Sequence, residues 1–195
     1  MVRRTVALLW LAAALLFGTT GAHALEPQTI EATCSGCHGP QGVSMVPNFP
    51  SIAGQPADFI MYTLKAYQKG VWPAQMMTSF VQGRSEADLR DMAEYYSEQD
   101  WVPRPQETEP ELVKQGKRIH EALCQKCHRA GGREPADYEP ILAGQWMPYL
   151  RRALEEYAAG ERPMVKGRGK GPKIRQLTEE DIEPLVHFYG SAGAQ

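Results

Sequence analysis

Cys34-Ser35-Gly36-Cys37-His38 recurs 90 positions later as Cys124-Gln125-Lys126-Cys127-His128, and these ten residues hold all four cysteines of the chain. Two thiols three positions apart sit about one helical turn from each other, so both can reach one flat macrocycle. The histidine that follows is then held beneath its centre. Cys-x-x-Cys-His is the attachment signature of haem c. A redox dithiol gives no reason for a histidine after each pair. A zinc site built from both pairs would need roughly 15–20 intervening residues, far fewer than separate Cys37 from Cys124. Structural disulfides are compatible with export but leave His38 and His128 without a role. The pattern therefore implies two covalently attached haem c groups. One is carried by Cys34 and Cys37 with His38 on the iron, the other by Cys124 and Cys127 with His128.

The repeat extends outward from the two motifs. The same displacement carries Pro50 onto Pro140, Ile52-Ala53-Gly54-Gln55 onto Leu142-Ala143-Gly144-Gln145, Tyr67 onto Tyr157 and Gly70 onto Gly160. Ser85-Glu86-Ala87-Asp88-Leu89 matches Thr178-Glu179-Glu180-Asp181-Ile182 at a displacement of 93, so three extra residues lie between Gly160 and Thr178. A duplicated unit is implied, with a first domain at 25–100, a linker at 101–110 and a second domain at 111–195. The linker holds Pro103, Pro105 and Pro110 with Glu107 and Glu109, which makes it semi-rigid and extended.

Helical periodicity runs through both copies. Asp58 to Gln68 carries a mixed apolar face closed by Gly70. Ser85 is placed as an N-cap before Leu89, Met92, Ala93 and Tyr96, and Thr178 before Ile182, Leu185, Val186 and Tyr189. Glu111 to Gln125 reads as a helix leading into the second cysteine pair. No segment alternates convincingly with period two, so the expected fold is all-α. Domains of about 80 residues have thin apolar cores. A porphyrin face covered by helices supplies the missing apolar surface.

Composition narrows the remaining classes. The 195 residues are 43% hydrophobic and 23% charged with a net charge of −2, ordinary for a globular protein and without the basic excess of a nucleic-acid binder. Fifteen prolines and 18 glycines predict much loop. Arg3 and Arg4, an apolar run from Val6 to Phe17 and the end Ala22-His23-Ala24 match a secretory signal peptide cleaved after Ala24. The run is too short for the ~20 apolar residues of a membrane span, and no later stretch resembles one, so a periplasmic product is expected.

The sixth position on each iron separates an electron carrier from a ligand-binding or catalytic haem. In the first copy Met76 and Met77 are expected in a loop between two helices, with Met77 favoured as ligand and Met76 as the fallback. The second copy breaks the pattern: displacing Met77 by 90 or 93 lands on Gly167 or Lys170. Met164 is the methionine of that segment, followed by the basic, glycine-rich run 166–173. Met164, a lysine of this run and an open site are the alternatives for the second haem. His120 and His187 fall on helices and read as surface or packing residues. A backbone carbonyl at Pro50 or Pro140, 12 residues after each haem histidine, could accept the imidazole Nδ1–H; a plain turn proline is the alternative.

These motifs resemble the di-haem class I cytochromes c of the bacterial periplasm over essentially the whole mature chain. The resemblance implies two tandem class I cytochrome c-like domains, each wrapped around one covalent haem. Ile141-Leu142-Ala143-Gly144-Gln145-Trp146-Met147-Pro148-Tyr149-Leu150 and Glu161-Arg162-Pro163-Met164 are similar, more narrowly, to the cytochrome subunit of flavocytochrome c sulfide dehydrogenases. That family implies a FAD-containing flavoprotein partner that oxidises sulfide, a heterodimer, and a soluble cytochrome c as acceptor. It also matches Met77, eight residues before Ser85, to its first axial methionine, and sets its second where Arg168 stands here. The chain carries no dinucleotide-binding fingerprint, so no bond-making catalysis is assigned to it. A free-standing carrier serving a terminal oxidase and a di-haem oxidoreductase with one open haem are the competing functions. The loop residues Val71, Trp72, Met76 and Phe80 are candidates for a partner-facing patch, or for burial around the first haem.

Overall fold

The structure, a computed structural model, describes residues 25–162, 164 and 171–193. The expected leader at 1–24 lies outside the described residues, as do Lys166, Arg168 and Lys170. Among the described residues the secondary structure is helical, apart from one isolated bridge between Ala136 and Glu139.

The first half is built from four helices. α1 (Pro27–His38) begins on a proline, whose missing N–H costs nothing at a helix start, and ends at the first haem histidine. α2 (Ala57–Gln68) buries Ile60, Leu64 and Tyr67, spaced four and three apart along one stripe. α3 (Gln75–Val81) is a short helix, and α4 (Glu86–Ser97) buries Leu89, Met92, Ala93 and Tyr96. The expected cap of α4 is a complete capping box. The Asp88 N–H donates to Ser85 Oγ at 3.1 Å and the Ser85 N–H to Asp88 Oδ2 at 2.9 Å, an arrangement worth about 1 kcal/mol.

The second half repeats the plan with differences. α5 (Pro110–Ile119) does not run on as α-helix to Gln125; it widens into a π-turn over His120–Cys124 that delivers the first thiol of the second pair. A single-turn segment, α6 (Arg129–Gly132), is broken by positive φ at Ala130 and Gly131. α7 (Met147–Ala159) ends on Gly160 in the left-handed region at φ 78°. After the short α8 (Gly171–Ile174) comes α9 (Glu179–Gly190), capped by a Thr178–Asp181 box. α5 lies directly against α9. A Cβ on Gly116 would stand 2.0 Å from the Pro184 carbonyl oxygen and 2.7 Å from Phe188 Cβ, so only glycine permits the crossing.

One core gathers Ile30, Leu64, Trp72, Leu89 and Tyr96, and another Leu150, Ile182, Leu185 and Tyr189. The proline-rich segment before α5 is a strap bonded to the second half. Trp101 Nε1–H donates to the Ala143 carbonyl at 3.1 Å and the Arg104 N–H to the Gly144 carbonyl at 2.8 Å. The Gln106 side chain donates to the Gln145 carbonyl at 2.9 Å and accepts from the Met147 N–H at 2.7 Å.

One expectation is corrected, and one choice between two readings is decided. Met76 and Met77 lie on α3, not in a loop. That helix is held to α2 from outside its own backbone: Thr78 Oγ1 donates to the Tyr67 carbonyl at 3.0 Å and Gln68 Nε2 to the Val81 carbonyl at 3.0 Å. Trp72 is not part of an exposed patch. It is 2% exposed and packs edge-on against Tyr62, Tyr67 and Tyr157, whereas Val71, Met76 and Phe80 are exposed.

Candidate functional site

α1 presents the first cysteine pair, the π-turn after α5 and the turn that follows it present the second, and none of the four cysteines is in a disulfide. Burial pushes the Cys34 and Cys124 thiols above their ordinary pKa. Cys124 packs on the second core beside Ile119 and Leu142. No group of three or more His, Cys, Asp or Glu side chains converges on a point among the described residues, so the zinc reading finds no geometry there.

Both haem histidines are fixed in the same way. His38 Nδ1 lies 2.9 Å from the Pro50 carbonyl oxygen and His128 Nδ1 lies 3.3 Å from that of Pro140. A carbonyl only accepts, so Nδ1 carries the proton in each ring and Nε2 is left with its lone pair for a metal. Burial lowers the pKa of His38, against the smaller opposing effect of that carbonyl, and favours the neutral imidazole that ligates. The two prolines thus supply orienting carbonyls.

A cavity of about 720 Å³ joins the two halves, a size typical of enclosed ligand sites. Cys34, Cys37 and His38 line it from one half, His128 from the other, with Met77 and Met164 on its wall. Met77 is half-buried against the first core while Met76 is 55% exposed. The donor set fits a haem in each half: two free thiols a turn apart, an imidazole with its outer nitrogen satisfied, and an apolar wall. His120 and His187 are packing residues. His120 is buried with Nδ1 3.0 Å from Tyr189 Oη, and His187 Nδ1 accepts from the Glu109 N–H at 3.0 Å.

Two features between the halves were not anticipated from the sequence. The first involves the repeated glutamines, each 3% exposed. Gln145 accepts the Ser51 N–H at 3.0 Å and donates to the Ser51 carbonyl at 2.8 Å. Gln55 accepts the Ile141 N–H at 2.8 Å and donates to the Ile141 carbonyl at 3.1 Å. Their repetition was visible; their partners, 94 and 86 residues away, were not. The second is Arg162, 3% exposed, ion-paired to Glu156 and facing the rings of Trp72, Tyr149 and Tyr157. Burial pushes the neighbouring Tyr67 and Tyr157 phenols well above their ordinary pKa.

Comparison with known proteins finds cytochromes c. The family model for cytochrome c matches residues 113–192. Cytochrome c4 of Azotobacter vinelandii is 31% identical over 172 residues, covering 76% of this chain and 80% of that protein. The crystal structure of reduced recombinant cytochrome c4 from Pseudomonas stutzeri superposes with a TM-score of 0.72 at 28% identity, covering 84% of this chain and 95% of that one. A thiosulfate dehydrogenase electron acceptor of Stutzerimonas stutzeri is 31% identical over 67 residues, covering 33% of this chain and 31% of that protein. With two haem c groups implied by its paired motifs and two helical halves built alike, the chain belongs to the cytochrome c4-like family of di-haem class I cytochromes c.

Proposed function

We propose that this electron carrier takes single electrons from a FAD-containing flavoprotein that oxidises sulfide, and passes them to a soluble cytochrome c. It works in the periplasm after cleavage behind Ala24, with domains at 25–100 and 111–195 around the strap at 101–110. Cys34 and Cys37 would hold the first haem with His38 and Met77 as its iron-binding residues, and Cys124 and Cys127 would hold the second with His128 and Met164. Haem, when bound, supplies a one-electron ferric–ferrous couple. The chain's residues orient each imidazole, wall the couple off from water and bring the two crevices together. No substrate bond is made or broken by its side chains.

The observation that carries the carrier role is the single cavity lined by both His38 and His128, which brings the two haem-binding sides of the chain to one space. The sulfide donor is supported by the run Gln145-Trp146-Met147-Pro148-Tyr149-Leu150 and by Arg162-Pro163-Met164. Exposed Val71, Met76 and Phe80 beside the first crevice suit an uncharged docking patch. A second reading, a free-standing carrier serving an oxidase or another sulfur dehydrogenase, is favoured by the cytochrome c4 and thiosulfate dehydrogenase likenesses. Purification from the native periplasm separates the two. Co-elution with a flavoprotein, and haem reduction on adding sulfide to that complex, supports the first. A chain that elutes alone and is reduced only by other donors overturns it.

A further inference from the structure

The same peptide groups appear in two sets of contacts described above. The Pro50–Ser51 peptide accepts the His38 Nδ1–H through its carbonyl and donates its N–H to Gln145 Oε1, at 2.9 and 3.0 Å. The Pro140–Ile141 peptide accepts the His128 Nδ1–H and donates its N–H to Gln55 Oε1, at 3.3 and 2.8 Å. Each haem histidine is therefore one peptide away from a glutamine of the opposite half. Both glutamines, Ser51 and Ile141 are buried, so solvent does not compete for these bonds.

We infer that Gln145 and Gln55 are positioning residues that act across the chain: Gln145 tunes the first haem through His38, and Gln55 tunes the second through His128. A peptide whose N–H is donated becomes a better acceptor at its carbonyl, since linked hydrogen bonds polarise one another. A better acceptor at Nδ1–H gives the imidazole more anionic character and makes Nε2 a stronger donor. That stabilises ferric iron and lowers the reduction potential. The Gln145 oxygen is also held by the Trp146 N–H at 3.0 Å, which fixes it in the line of the Ser51 N–H. The His38 bond is the shorter of the two imidazole bonds, so the effect is larger at the first haem.

The inference rests on His38 and His128 being the proximal ligands of the proposed function. The test uses the full-length di-haem protein with ¹⁵N-labelled histidine, reading the Nδ1 resonances by NMR and the potential of each haem by titration. In the ferric wild type, a paramagnetically shifted His38 ring establishes ligation, and its absence overturns the proximal assignment itself. Gln145→Leu is expected to weaken the His38 Nδ1–H bond and move the first haem's equilibrium about threefold toward reduced. That is roughly 30 mV at 59 mV per tenfold for one electron. The His128 resonance and the second haem stay where they were. Gln55→Leu gives the mirrored result with a smaller shift. If Gln145→Leu does not fold, Gln145→Glu at neutral pH keeps an acceptor for the Ser51 N–H and is expected to move the His38 signal the opposite way. A substitution that moves the haem of its own half, moves both equally or moves neither overturns the inference.

Discussion

Trp72 and Arg162 occupy the same place in the two copies, 90 residues apart, and they meet: the guanidinium carbon lies 4.8 Å from the centre of the indole ring. Where one copy puts a large aromatic ring, the other puts a buried cation that faces it. The pair ties the two halves together, with Glu156 ion-paired to the same guanidinium.

Removing the cation should cost more than removing the ring contact alone. Arg162→Ala leaves Glu156, whose side chain is 13% exposed, with the longer 3.8 Å contact to Arg152 in place of its buried partner, and is expected to destabilise the holoprotein by about 2 kcal/mol. Arg162→Ala combined with Glu156→Ala should recover part of that loss. Urea denaturation of the two variants and wild type checks both outcomes.

Met77→Ala is expected to remove the methionine-to-ferric-iron charge-transfer absorption of one haem and to lower that haem's potential, because thioether ligation raises it. Met164→Ala should do the same for the other. If both bands survive both substitutions, the axial ligands are not these methionines.

Gly116→Val drives a side chain into the Pro184 carbonyl, where even a Cβ has no room. Parting α5 from α9 is expected to cost about 3 kcal/mol, read as a lower melting temperature of the second half with the first little changed.

Arg151 donates to both carboxylate oxygens of Glu183, at 2.7 and 2.6 Å. That bond, more than any other influence, holds the Glu183 carboxyl below its usual range. A depressed carboxylate contributes stability that is present above its unfolded pKa of about 4.3 and is lost as pH falls through the lower folded value. The pair is partly exposed, so the contribution is under ~1 kcal/mol. Glu183→Gln should flatten the fall in stability between neutral pH and the low-pH side of that range, measured by denaturation at stepped pH.

Leu25 is the first residue after the expected cleavage point, and its backbone nitrogen donates to Asp91 Oδ2 at 2.7 Å. Cleavage behind Ala24, as proposed, would turn that amide into an ammonium and give the mature chain a charge-assisted bond. Asp91→Asn should lower the stability of the processed protein by about 1.5 kcal/mol, while leaving the processing site, read by N-terminal sequencing, unchanged.

What the sequence made legible is what local chemistry decides. The boxes at Ser85 and Thr178 were readable because cap and partner lie three residues apart. The haem motifs were readable because one helical turn holds all their donors. α3 escaped because its seven residues bury only Val81 and have no side-chain cap, its support coming from α2. The π-turn before Cys124 escaped because a widened turn leaves no change in apolar spacing. The roles of Gln55, Gln145 and Arg162 escaped for a different reason: a buried polar side chain is defined by its partner, and those of the glutamines and Trp72 lie 86 or more positions away in the chain.

The glutamine clasp has a meaning for descent. Each half offers a glutamine side chain and receives the other's glutamine on the peptide just after its haem-orienting proline. Such a surface is isologous: it complements a rotated copy of itself. A single-haem unit carrying one such glutamine and one such peptide could form a closed pair about a twofold axis, with both buried amides satisfied. Fusing two copies through the strap at 101–110 would then create no new interface. It would only free the halves to differ, as Trp72 and Arg162 now do.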